Sequence, residues 1–275
     1  MTDKVVISKP KLISHSQMSK FENCPRDWHY NYVEKLSTFK GKALFFGNKV
    51  HSMLETRLDK TDNKVYTVED FQYDKQSPEA AYKKATKLTD AGMSALHGLD
   101  ELAFPGVESL GPENIEWEFE VLNMYRGFID LWFINTRGEH IIVDWKTTSS
   151  KYSKHDIKTS PQLTAYAWAY KLTHGVMPTA VCFITLNKIS HKASLYMGTR
   201  TKDDIDEYQD RVYKNYEKIL LKEHTRKESG CNGPYGRCQF YGKCWGDIDP
   251  VIRESQDVMP LDSKKTVTVN DKDWF

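Results

Sequence analysis

Between Arg126 and Lys146 the chain reads R-G-F-I-D-L-W-F-I-N-T-R-G-E-H-I-I-V-D-W-K. Two apolar runs rich in Ile, Val, Phe and Trp flank Asn135, Thr136, Arg137 and Gly138, a cluster of turn formers, and this predicts an antiparallel hairpin. Each run carries one aspartate. If Ile134 pairs with His140 across a five-residue loop, cross-strand positions sum to 274 and Asp130 stands opposite Asp144. A one-residue slip breaks that register. Side chains alternate faces along a strand, so Asp144 and Lys146 share a face, with cross-strand Cβ atoms roughly 5 Å apart. Two carboxylates so placed in an apolar hairpin repel unless something cationic sits between them. A divalent metal would satisfy them. The plainer alternative is one Asp at a strand end and the other paired with Lys146.

A chain of 275 residues can bury roughly three quarters of its unfolded surface, so its stability needs no covalent staples. Net charge is +1, from 39 basic and 38 acidic residues, and no global positive field advertises a nucleic-acid partner. Any such binding must come from a local patch. No apolar run approaches the ~20 residues of a membrane span, and the opening M-T-D-K-V-V-I-S-K-P lacks the apolar core of a signal peptide. An intracellular protein without membrane contact is expected. Its five cysteines then read as thiols or metal ligands rather than as a disulfide framework.

Leu12 to Cys24 predicts a short helix capped by Ser14 or Ser16 and interrupted at Pro25. Arg26 to Leu36 is aromatic and basic, a packed helix in which Arg26 is placed to reach a phosphate. Gly41 to Leu58 places Val50, Met53, Leu54 and Leu58 at helical spacing, with His51 beside that stripe and Glu55 one turn on. Residues 61–111 hold one helix, Pro78 to about Leu96, and read as an insertion. Ile115 to Leu122 alternates as a strand with Glu116, Glu118 and Glu120 on one face, either a solvated face or one whose Glu120, nearest the hairpin, faces the metal region.

After Lys146 comes a polar loop, 147–160, whose Lys151, Lys154 and Lys158 are placed to hold phosphates. Ser160-Pro161 opens a helix that Gly175 ends, with Gln162, Tyr166 and Tyr170 on one face. That face is either packed core or a support for substrate. Strands follow at Ala180–Leu186 and Ala193–Met197, then a charged helix from Thr201 to about His224 with Ile205, Tyr208, Val212, Tyr216, Ile219 and Leu220 as its core stripe. In Cys182 the first strand carries a small buried hydrophobe. Cys231, Cys238 and Cys244 then stand among glycines that let a loop wrap tightly, and Cys24 is the natural fourth ligand if the ends of the chain meet. Residues 255–275 are polar and expected to be disordered.

Together these residues resemble the PD-(D/E)XK nuclease superfamily, in particular its RecB-like exonuclease branch. The matching pieces come in the family's order: S-x-S with C-P at 14–25, G-N-K-V-H ending at His51, G-F-I-D ending at Asp130, V-D-W-K at 143–146 and Q-L-T-A-Y at 162–166. The trailing cysteines extend the likeness to residue 244, since the nuclease part of AddB and CRISPR-associated RecB-like exonucleases hold an iron–sulfur cluster with one early and three late cysteines. Two departures stand out: Ile129-Asp130 replaces Pro-Asp, and the first two late cysteines are more widely spaced.

The resemblance implies an α/β (α+β) restriction-endonuclease-like core, a central mixed sheet flanked by helices, as one nuclease domain over 1–254 whose clasp 230–246 joins Cys24. It implies Mg²⁺ or Mn²⁺ on His51, Asp130, Asp144 and the Trp145 carbonyl, with catalysis by Asp130, Asp144 and Lys146. Gln162 and Tyr166 would position the strand. A 4Fe-4S cluster, or zinc in its place, would sit on Cys24, Cys231, Cys238 and Cys244. The implied activity is DNA hydrolysis from strand ends in recombination, repair or phage DNA metabolism in a bacterial or phage-infected cytoplasm, beside a helicase or a single-strand binding or annealing protein. The competing expectations are a non-catalytic DNA-binding or scaffold module and, less supported for want of a Cys-x-x-Cys motif, a redox sensor.

Overall fold

The computed structural model describes residues 12–36, 40–59, 61–72, 77–102, 110–135, 137–233, 236–246 and 258–259. Helix α1 (His15–Asn23) starts where the Gln17 N–H donates to the Ser14 hydroxyl, so Ser14 rather than Ser16 is the cap. Cys24 separates it from α2 (Pro25–Tyr32), which Pro25 opens. Strand β1 (Lys40–Gly41) leads into α3 (Lys42–Leu58), where Val50, Met53, Leu54 and Leu58 are buried. Helix α4 (Pro78–Leu102) runs past the expected end at Leu96. Its Ala81, Ala85, Leu88 and Leu96 pack with α3 and the sheet, so the stretch read as an insertion supplies a layer of the core.

Strands β2 (Ile115–Val121), β3 (Tyr125–Ile134), β4 (His140–Thr148), β5 (Ala180–Asn187) and β6 (Ala193–Gly198) form one sheet in that order. All neighbours are antiparallel except β4 and β5. Parallel neighbours need a crossover, and here it carries α5 (Lys154–Thr159) and α6 (Pro161–His174). The expected loop 147–160 therefore contains a short helix, capped by Ser153. Helix α6 has the predicted limits, with Ser160 as cap and Gly175 at φ 74° as its left-handed end.

Helix α7 (Lys202–Leu220) buries Ile205, Tyr208, Val212, Tyr216 and Ile219, whereas Leu220, expected in that stripe, is exposed at the helix end. A small hairpin of β7 (Asn232–Gly233) and β8 (Gly236–Arg237) precedes α8 (Tyr241–Trp245). Of the tail, only β9 (Val258–Met259) is described, pairing with β1; the expected disorder of 255–275 otherwise lies outside the described residues.

The sheet separates two apolar layers. On one side Phe119, Tyr125, Ile129 and Ile142 meet α1, α6 and α7; on the other Leu131, Phe133, Val143 and Trp145 meet α3 and α4. The mixed α/β sheet flanked by helices is the architecture that the resemblance implies. Buried Arg200 fixes the start of α6: its guanidinium donates to Thr164 Oγ1 at 2.7 Å and to the carbonyls of Ile157 and Ser160 at 2.8 and 3.2 Å. No helix among the described residues is long and apolar enough to cross a membrane.

Candidate active site

The hairpin register is the one its turn chemistry predicts, with Ile134 opposite His140 and Leu131 opposite Val143. The paired ladder stops there. Ile129 and Leu131 pack into opposite layers, so the alternation of β3 slips at Asp130. In place of a β3 carbonyl, Asp130 Oδ2 accepts the Trp145 N–H at 2.7 Å. The same row of β2 is also irregular, because Glu116 adopts φ 48°, a left-handed conformation uncommon for a residue with a side chain.

Around Asp144 the side chains form a closed polar network. Lys146 Nζ lies 2.8 Å from Asp144 Oδ2 and donates to Gln162 Oε1 at 2.7 Å. Gln162 Nε2 donates to Asp144 Oδ1 at 3.0 Å and to the Tyr166 hydroxyl at 2.7 Å, and that hydroxyl donates to Asp144 Oδ1 at 3.3 Å. Asp144 Oδ2 is buried against the Lys146 ammonium. From α3, His51 Nδ1 stands 3.6 Å from Asp130 Oδ2, and the ring also bonds to the Trp145 backbone.

Burial dominates the electrostatics. It pushes Asp130 and Asp144 up to about 6, against the pull of Lys146 on both. Burial also opposes charge on Lys146, but Asp144 and Asp130 outweigh it and raise the ammonium above its ordinary value. His51 is lowered to about 4, by burial first, and is neutral at physiological pH with a ring nitrogen able to ligate. Two buried carboxylates thus share one lysine, which leaves the site short of positive charge.

Several expected contacts lie elsewhere. Glu120 sits exposed opposite Arg126, and it is Glu116 whose charge reaches Tyr166. Arg26 lines the cysteine pocket beside Cys244, not the carboxylate site, because Pro25 turns α2 away from α1. Lys151 and Lys154 are exposed on the approach to α5 and on α5 itself. Tyr170, on the Gln162 face by spacing, bonds His140 Nδ1 at 2.6 Å at the far end of α6. Gln162 and Tyr166 spend their polar atoms on Asp144 and Lys146. Two residues join the site without having been assigned to it. Glu55, one turn after His51, raises Asp130, and His15 is lowered to about 4 by burial and then by Lys146. The i,i+4 spacing of His51 and Glu55 was the available signal for the first.

Cys24, Cys231, Cys238 and Cys244 line one pocket with Arg26, Arg226 and Trp245, and all four are free thiols. Gly230 presses so closely on this corner that a Cβ there would lie 2.7 Å from the Asn23 carbonyl and 2.8 Å from Cys24 Cβ. Among the described residues no group of three or more His, Cys, Asp or Glu side chains stands at ligating geometry. At the carboxylates the reason is visible, since Lys146, Gln162 and the Trp145 N–H occupy the oxygens.

No curated protein matches the sequence. Among solved structures, a protein from Eubacterium rectale described as a candidate exonuclease is 13% identical over 90% of this chain and 94% of its own, with a TM-score of 0.52. Another, SSO0001, is 15% identical over 88% of this chain and 90% of its own, with a TM-score of 0.41. The first shares the fold; the second is too distant to bear on it. The family model of the PD-(D/E)XK nuclease superfamily matches residues 12–244, and with it the hairpin, the Gln162 helix and the late cysteines, so the chain belongs to that superfamily.

Proposed function

We propose that the protein is a metal-dependent deoxyribonuclease that degrades DNA from strand ends. The observation that carries the reading is the buried Asp144, held by Lys146, Gln162 and Tyr166 beside Asp130 and His51. A neutral imidazole, two carboxylates and the Trp145 carbonyl are a donor set suited to Mg²⁺ or Mn²⁺. The fit is supported by two carboxyl groups that burial drives toward the protonated state and that share a single ammonium. When bound, such an ion supplies polarisation of the phosphoryl oxygen and acidification of a water.

The chain's own residues do the rest. Lys146 stays an ammonium, oriented by Gln162, and offsets the charge that builds on the phosphate as the water oxygen bonds to phosphorus and the ester P–O bond breaks. The attacking water gives up a proton to solvent, and the departing oxygen takes one from it. Gln162 and Tyr166 act as positioning residues for Asp144 and Lys146. End-labelled linear DNA should be degraded with Mg²⁺ or Mn²⁺ and spared with EDTA, and a closed single-stranded circle should persist. Equal cutting of the circle would remove the exonuclease reading. Tight binding without cleavage in any metal would favour a scaffold module.

In the same reading Cys24, Cys231, Cys238 and Cys244 hold a 4Fe-4S cluster, with zinc as the alternative. Support comes from four free thiols lining one pocket and from Arg226 and Arg26, which work against the rise that burial imposes on Cys244. Protein purified without oxygen should be brown with broad visible absorption. A colourless protein carrying stoichiometric zinc would show the alternative.

A further inference from the structure

The cysteine corner carries an ordered stack that reaches outward from Arg226 and Trp245 of the pocket to exposed Arg237. The Arg237 guanidinium lies 4.2 Å from the Tyr241 ring centroid, Tyr241 stacks on Trp245 at 6.1 Å and 29°, and the Arg226 guanidinium lies 4.5 Å from the Trp245 ring. Tyr241 and Trp245 are four apart on α8, which puts both rings on one side of it. Arg226, Arg237 and Trp245 are exposed. Among the described residues neither guanidinium is salt-bridged to a carboxylate, whereas neighbouring Lys243 is paired with Glu34.

Residues 222–246 carry five lysines and arginines against two glutamates in a chain of net charge +1, so positive charge is concentrated here. Guanidinium planes held against rings keep their N–H edges free for phosphate oxygens. Rings interleaved with cations are what a protein offers to an unpaired strand, whose bases stack and whose backbone is anionic. The corner also has a fixed relation to the active site. Helix α1, nine residues or about 13 Å long, has Cys24 just past its last turn, while His15 in its first turn feels the charge of Lys146.

We propose that the Arg237–Tyr241–Trp245–Arg226 stack is a second nucleic-acid contact, binding the sugar–phosphate backbone of an unpaired strand whose end lies in the Asp144 site. The proposal rests on the nuclease reading for its substrate class. Its test does not need cleavage. Binding of a labelled single-stranded oligonucleotide is followed by fluorescence anisotropy in EDTA over a range of salt. Arg237→Ala should weaken binding about threefold and lower the salt slope by about 0.7, with an unchanged melting temperature. In the presence of metal the same variant should raise KM for long strands and leave hydrolysis of a small chromogenic phosphodiester unchanged.

Unchanged affinity and slope would overturn the proposal, and so would equal losses for blunt duplex and single strand. Arg226 donates to the Cys244 carbonyl at 3.1 Å and is therefore left in place; Arg237→Glu should weaken binding further, and wild-type binding by it again overturns the proposal. Arginine-dependent binding in a protein that cleaves nothing would sink the nuclease reading and leave this contact standing.

Discussion

Asp144→Asn should abolish cleavage, by about 10³-fold or more, and at the same time raise the melting temperature of the metal-free protein. The two effects share one cause. Asp130 and Asp144 are both pushed up to about 6, chiefly by burial, while an unfolded aspartate titrates near ~3.9. Between those values the folded protein holds protons that the unfolded chain has released. The contribution of these two carboxyl groups to stability is therefore fullest below about 4, declines as pH rises to about 6, and stays reduced above it, while buried His15 and His51, lowered to about 4, contribute in the opposite direction. At neutral pH the fold carries two buried carboxylates against one Lys146. Asparagine removes one of those charges and leaves Lys146 with Asp130 nearby and with Gln162, but it also removes a ligand oxygen and the partner that orients the lysine. Thermal melts in EDTA at pH 5 and pH 7.5, beside cleavage assays, check both halves. A variant that melts below wild type at pH 7.5 would show that the carboxylate stabilises the metal-free fold, contrary to this account.

Gly47→Leu should cost about 10²-fold in cleavage while the protein stays folded. A Cβ at Gly47 would lie 2.8 Å from Thr147 Oγ1, on the strand residue that follows Lys146. Helix α3 rests on β4 at this point, and His51 is the next turn along it. A threonine rotation can relieve a methyl group but not an isobutyl one, so α3 must move off the strand and take His51 away from Asp130. Leucine is a better helix former than glycine, so the helix itself is not weakened. Circular dichroism with kcat/KM separates the outcomes: a native spectrum with reduced kcat/KM is expected, and undiminished activity would show that the His51 position does not matter.

The sequence made the hairpin and the Gln162 helix legible because both are written in local chemistry. Asn135 to Gly138 between apolar runs sets the register, and Ser160-Pro161 with Gly175 sets both ends of α6. What stayed hidden depends on departures from regularity or on tertiary neighbours. Glu116 takes a left-handed conformation that breaks the alternation of β2, whereas Glu120 was singled out because it stands nearest the hairpin along the chain. Six residues of α5 are too few for a 3.6-residue period to stand out in a polar run. Helix α4 buries Ala81 and Ala85, which do not look like a core face, and so it read as an insertion. Spacing placed Gln162 and Tyr166 together, but only the fold shows that both bond inward to Asp144. Buried Arg200, which fixes the start of their helix, carried no local signal at all.

If Asp130, Asp144 and Lys146 form the centre of a metal-dependent nuclease, the lysine is indispensable to it. The decisive measurement is Mn²⁺-dependent degradation of end-labelled DNA by wild type and Lys146→Ala, purified side by side and shown to be equally folded. Wild type should degrade the DNA until EDTA stops it, and the variant should lose about 10³-fold. Degradation by Lys146→Ala at the wild-type rate would rule out that role for the cluster.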